Sequence, residues 1–231
     1  MWTSVPWEDT PRDIKDELID ILAVVPELFY HLDAYASCQN TSQAAQGRQF
    51  VLQKCWTLDS ALQKWHLKLL TMLDQPNPTS SRISEGRNEL NPHDFKTCGF
   101  GAAYLILLYW GICIMVYSTL RTVVRQIGEP LGVPLPARTD PGLYAIKITQ
   151  SVDYFFAQDA GLVGMQYVIF PLGVALQHLI ATRATDTQAW RKATRVFDQE
   201  GVGSSLGKFL KNHLTIVSLM STLKQDSSDH P

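Results

Sequence analysis

Apolar residues recur along this chain at three- and four-residue steps, and no run alternates with period two, so the pattern predicts helices throughout. The first stripe is Ile14, Leu18, Ile21, Leu22 and Val25. Thr10, Pro11 and Asp13 ahead of it supply a hydroxyl N-cap, a proline at the first helical position and an acid in the first turn. Pro26 is expected to end that helix, and a short second one is expected from Glu27 to about Ser37, carrying Leu28, Tyr30, His31, Leu32 and Tyr35. Val51, Leu52, Cys55, Leu58, Leu62, Trp65, Leu69 and Met72 mark a longer helix from about Ser42 to Leu73. Lys54, Asp59, Lys64 and Lys68 are assigned to its outer faces, and Pro76 and Pro78 stop it.

Residues 75–93 are polar and rich in turn formers, which predicts a flexible loop. A helix over 97–127 follows, then a tight Gly/Pro connector over 128–141. Asp140 and Pro141 reopen a helix whose apolar side is read as Leu143, Ile146, Ile148, Val152, Phe155 and Phe156. The apolar run after Asp159 is expected to split or kink near Pro171. Asp186 opens a helix with Trp190, Ala193, Val196 and Phe197 inward, closed at Gly201. Leu206, Phe209, Leu210, Leu214, Val217 and Leu223 mark the last helix, before a polar tail over 225–231. The expected fold is an all-α irregular bundle of seven or eight helices, a single domain over 1–224.

Two stretches carry no formal charge: 24 residues over 97–120, and 23 over 160–182 that contain His178 and Pro171. Each is long enough to cross a hydrocarbon layer. The tryptophan and three tyrosines of the first are scattered instead of gathered at its ends, and Gln166, Gln177 and His178 dilute the second. Helices buried in protein are therefore expected, and a membrane location is not. Across 231 residues, 20 Lys and Arg nearly balance 22 Asp and Glu, which argues against a chain-wide grip on nucleic acid. A hydrophobic content of 45% excludes a mainly disordered chain. Cys38, Cys55, Cys98 and Cys113 stand 17, 43 and 15 residues apart, so none pairs at the spacing of a zinc knuckle or a redox motif. The start has no positive region followed by an apolar core, so no secretory signal is expected and the thiols are read as reduced and intracellular.

His31 with Asp33, and His66 beside Trp65, lack further ligands at helical spacing, so no metal or cofactor is expected. There is no G-x-S-x-G elbow. Gly99 and Gly101 open a helix with no strand before them, and read as punctuation along with Gly201 and Gly203. Asp9, Asp13, Asp16, Glu17 and Asp20 cluster as diphosphate-binding helices require, but no second acidic cluster stands further along, so they read as a solvated face. Arg183, Arg191, Lys192, Arg195, Lys208 and Lys211 are interrupted by acids and read the same way.

The C-terminal half carries an ordered set of short motifs. Ile148, Ser151, Val152 and Tyr154 are followed by Gly161 to Gly164, then by Phe170-Pro171-Leu172-Gly173-Val174-Ala175, then by Trp190. With Pro6-Trp7 and the apolar helix over 102–120, this succession resembles the C-terminal regulatory region of fungal zinc binuclear-cluster transcription factors. The resemblance implies an all-α regulatory body, a nuclear or cytoplasmic location, and control of transcription, often of secondary-metabolite gene clusters. The family reads DNA through six closely spaced cysteines and a basic linker, which four scattered cysteines cannot build. The expectation is thus a regulatory protein without its own DNA-binding module, leaning away from an enzyme and meeting a full-length transcription factor or another protein. The alternative is an all-α enzyme or small-molecule binder on the same scaffold. In either reading Trp110, Tyr154 and His178 are the candidate ligand- or partner-binding residues, around an apolar aromatic cavity.

Overall fold

The computed structural model describes residues 12–38, 40–74, 89–126, 134–157 and 161–195. Those residues are all-α, an irregular helical bundle with no strand among them. In chain order the helices are α1 (Ile14–Ala36), α2 (Thr41–Leu73), α3 (Phe95–Cys98), α4 (Phe100–Gln126), α5 (Pro141–Phe155), α6 (Gly161–Ala181) and α7 (Gln188–Arg195), with short 310 turns at Pro92–Asp94 and Ala137–Thr139. The backbone divides into two units, 1–141 and 142–231. The predicted helix over 206–223, the tail over 225–231, residues 75–88 of the expected loop and residues 128–133 of the expected connector lie outside the described residues.

In the first unit α1, α2 and α4 each pack against the other two. Asp13 caps α1: its side chain accepts from the Asp16 amide at 2.8 Å, while the Asp16 carboxylate accepts from the Asp13 amide at 3.0 Å. The expected caps Thr10 and Pro11 are not among the described residues. Contrary to expectation, α1 runs straight through Pro26. Val25 and Leu28, on either side of it, are both buried, and anchoring them outweighs the one intrahelical bond that proline cannot donate. α2 starts one residue from the expected place, where the Asn40 side chain accepts from the amides of Ser42 and Gln43 at 3.0 and 3.2 Å. Met72 of its predicted stripe is exposed.

The expected helix over 97–127 is broken in two. Gly99, at φ +82°, ends α3 and lets α4 begin at Phe100, so of the glycine pair Gly99 is the punctuation while Gly101 lies inside α4. Upstream, Leu90 and Phe95 are buried, and the turn between them is held by the Asn91 amide donating to the Asp94 carboxylate at 2.8 Å. α4 is buried around most of its circumference, including Leu107, Ile112 and Val116. Each such side chain contributes about 1.5–3 kcal/mol on burial. Trp65 stacks on Tyr109 with ring centroids 5.4 Å apart, and its indole donates to the Ile14 carbonyl at 2.7 Å, tying α2 to both neighbours.

The second unit contains most of α5, with α6 and α7. On α5 the buried row is Tyr144, Ala145, Ile148, Val152 and Phe155, joined by Thr149 and Ser151. Leu143 and Ile146, expected inside, are each 43% exposed. A helix turns 100° per residue, so these two share a face that the buried row leaves outside. α6 continues through Pro171 without the expected split, with the proline ring buried among the inward residues. α7 opens at Thr187, whose hydroxyl accepts from the Trp190 amide at 3.3 Å, and packs against α6. Lys192 ties α7 to α5 by donating to the Gln150 carbonyl at 3.1 Å and meeting the Asp153 carboxylate at 3.1 Å.

Candidate functional site

The three residues singled out from the sequence are distributed over both units. Trp110 belongs to α4 in the first unit, where it is 2% exposed and stacks on Phe95 at 5.6 Å. Tyr154 and His178 belong to the second unit, on α5 and α6, and both are half-buried. Tyr154 meets the edge of its neighbour Phe155 at 5.3 Å. His66, which the sequence left without further ligands, stacks on Tyr109 at 5.1 Å.

The acids at the front of α1 are occupied locally. Asp13 and Asp16 make the cap, Glu17 pairs with Lys68 of α2, and Asp20 pairs with Arg12. These partnerships use the four described carboxylates of the cluster, and Asp9 lies outside the described residues. Among the described residues no three His, Cys, Asp or Glu side chains converge to hold a metal ion. The basic residues of α7 are likewise engaged: Lys192 and Arg195 both face Asp153, and Arg191 donates to the Asp186 carbonyl at 3.0 Å.

One polar cluster escaped the periodicity. Asp59, assigned to an outer face of α2, is 5% exposed. Its Oδ1 accepts from the Tyr117 hydroxyl at 2.8 Å and from Arg138 Nε at 3.2 Å, and its Oδ2 accepts from Arg138 Nη2 at 2.9 Å. Arg138 therefore grips the carboxylate with two nitrogens. The Gln63 amide donates to the Tyr117 hydroxyl at 3.5 Å. Arg121 of α4 holds the same 310 turn by donating from Nε to the Thr139 carbonyl at 3.0 Å. Together these contacts strap the Ala137–Thr139 turn onto α2 and α4, a structural task. A sequence signal existed: Asp59 directly follows the inward Leu58, and a charge at the margin of a stripe is a candidate for burial when a distant arginine can reach it.

The surface offers a different kind of feature. α6 is apolar on both sides: Gly164, Val168, Pro171, Leu172, Ala175, Leu176 and Leu179 are buried, while Leu162, Val163 and Phe170 are 61%, 48% and 42% exposed. These three share their face with exposed Gln166 and Gln177, a mixed surface whose apolar part is open to a partner. By length and composition α4 and α6 are both able to cross a membrane, with 67% of the most apolar stretch of α4 and 39% of that of α6 buried inside the protein. Compared with protein-family models, with curated proteins and with solved structures, the chain matches none.

Proposed function

We propose that this protein is a transcription-factor-like regulatory protein without a DNA-reading module of its own, acting by contact with another protein and linked to fungal secondary metabolism. The observation that carries this reading is the exposed apolar row of α6, Leu162, Val163 and Phe170, on a helix whose other side is buried at Val168, Leu172, Ala175 and Leu179. Rows of that kind serve protein contact when they lie on an ordered helix. The motif succession supports the scaffold part of the reading. Of the motif residues, Ile148, Ser151 and Val152 on α5 and Pro171, Leu172 and Ala175 on α6 are buried, while Tyr154 and Trp190 are half-buried and Phe170 is exposed. A full-length transcription factor is the partner this proposal favours, with the nucleus or cytoplasm as the location.

The test is deletion of the gene in its host, with transcripts and metabolites profiled together. A fall in transcripts across neighbouring genes supports a regulator. One accumulating precursor with unchanged transcripts supports the second reading, an enzyme or small-molecule binder. Complementing the deletion with Leu162→Asp/Phe170→Asp then addresses the surface: failure to restore the transcripts, with the chain folded and abundant, supports protein contact through α6. Recovery of the protein only in a detergent-extracted membrane fraction overturns the reading in favour of a membrane protein.

A further inference from the structure

We propose that the open groove at the α1–α2 hairpin is a binding site for a neutral, ring-bearing small molecule. It lies in the first unit and stands whether or not α6 meets a protein. His31, Ala34 and Tyr35 line its α1 side, and Gln43, Gln46 and Phe50 its α2 side, all within a volume of about 440 Å³. The lining positions on each helix follow the i, i+3, i+4, i+7 spacing, so two facing rows of an antiparallel hairpin form the walls. That volume falls within the usual range for small-molecule sites, about 300–1,000 Å³.

The groove owes its floor to one residue. A Cβ at Gly47 would stand 2.7 Å from the Tyr35 Cβ, so the two backbones approach there as only glycine permits. Small Ala34 leaves open space on the α1 side, while Gly47 sets how closely the two walls approach. The outer end is a ready-made aromatic wall, since the His31 ring sits edge-to-face with Phe50 at 4.5 Å and Phe50 is still 40% exposed. Near the hairpin turn the Cys38 thiol donates to Gln43 Oε1 at 3.6 Å, which closes the other end.

The lining also defines the ligand's charge. No Asp, Glu, Lys or Arg lines the groove. Two cations stand behind the lining: Lys54, 5.6 Å from the Phe50 ring centroid and paired with Glu27 at 2.9 Å, and Arg48, which acts on the Tyr35 phenol; neither lines the groove, so a charged molecule would surrender hydration without a counter-charge in direct contact. Glu27, the nearest acid facing His31, is already engaged by Lys54 at 2.9 Å, and that ammonium holds its carboxyl below the usual range. The Tyr35 hydroxyl donates to Gln126 Oε1, which fixes the ring, and burial pushes its pKa up, so it remains a neutral phenol. The exposed amides of Gln43 and Gln46 add hydrogen-bonding capacity without charge. A flat neutral ring with a hydroxyl or carbonyl edge matches this set.

The experiment titrates the full chain with pyrenemethanol, followed by fluorescence, against charged pyrenesulfonate as the matched comparison. Saturable one-site binding is expected, weakened about tenfold by Ala34→Trp, which fills the groove, and by Phe50→Ala, which removes the wall. Leu67→Ala, at a 63% exposed position of α2 outside the groove, is expected to leave it unchanged. Bound pyrenemethanol should also slow alkylation of Cys38 by N-ethylmaleimide, read by peptide mass spectrometry, while half-buried Cys98 keeps its rate. Circular dichroism checks each variant, and if Ala34→Trp does not fold, Phe50→Ala and Cys38 protection decide. Equal binding by Ala34→Trp, equal loss in Leu67→Ala, or equal affinity for pyrenesulfonate overturns the proposal.

Discussion

The Asp59–Arg138 pair makes a sign-reversal prediction. The two partners differ sharply in exposure: the Asp59 side chain is 7% exposed, whereas that of Arg138 is 43% exposed. Removing the exposed partner should therefore cost more than neutralising the buried one. Arg138→Met leaves a buried carboxylate held only by the Tyr117 hydroxyl, and an uncompensated buried charge costs about 3–5 kcal/mol; water already screens Arg138, which places the expectation near the lower end. Asp59→Asn in the otherwise unchanged protein keeps the shape but turns one acceptor towards the Arg138 donors as a donor, a loss of about 2 kcal/mol. In the Arg138→Met background the same Asp59→Asn change removes the stranded charge and should restore about 1–2 kcal/mol. Hydrogen exchange at the α2 and α4 amides reads the first unit by itself, and urea unfolding of the full chain by tryptophan fluorescence gives a second measure. If Asp59→Asn destabilises both backgrounds equally, the carboxylate is not held by Arg138 and the strap described above is wrong.

Three further outcomes follow from single positions. Pro26→Ala restores an intrahelical donor at an exposed site of α1 and should raise stability by about 1–2 kcal/mol net of the flexibility gained by the unfolded chain, measured as a higher Tm. Gly47→Ala forces a Cβ against the Tyr35 Cβ, which cannot swing away, and should lower stability by about 1–2 kcal/mol although alanine favours helix. Burial pushes the Cys55 thiol up from 9.0 to about 12. With the folded value raised, the unfolded chain releases this proton first, so stability is retained below about pH 9 and falls between pH 9 and 12 by up to about 1.4 kcal/mol per unit. Cys55→Ala should flatten that part of the stability curve, measured by urea titrations across the range, and an unchanged slope would contradict the burial argument.

Local chemistry was legible without coordinates. The all-α class, the course of α2 from Asn40 to Asp74, the glycine punctuation before α4 and the opening of α5 at Pro141 each depend on residues within a turn or two of one another. Caps, breakers and periodic stripes are encoded at that range. What failed were judgements that needed a distant partner. Pro26 is a local breaker, yet it stays inside α1, where Val25 and Leu28 are buried, and Pro171, itself buried, does not split α6. Asp59 looked like a surface charge until Arg138, 79 residues away, arrived to neutralise it. Leu143 and Ile146 satisfied the spacing of an inner face, but only packing decides which of two apolar rows turns inward. The candidate site divides in the same way. The sequence pointed to Trp110, Tyr154 and His178 and not to the α1–α2 groove, which exists because Gly47 lets two backbones close together, an approach set by tertiary packing.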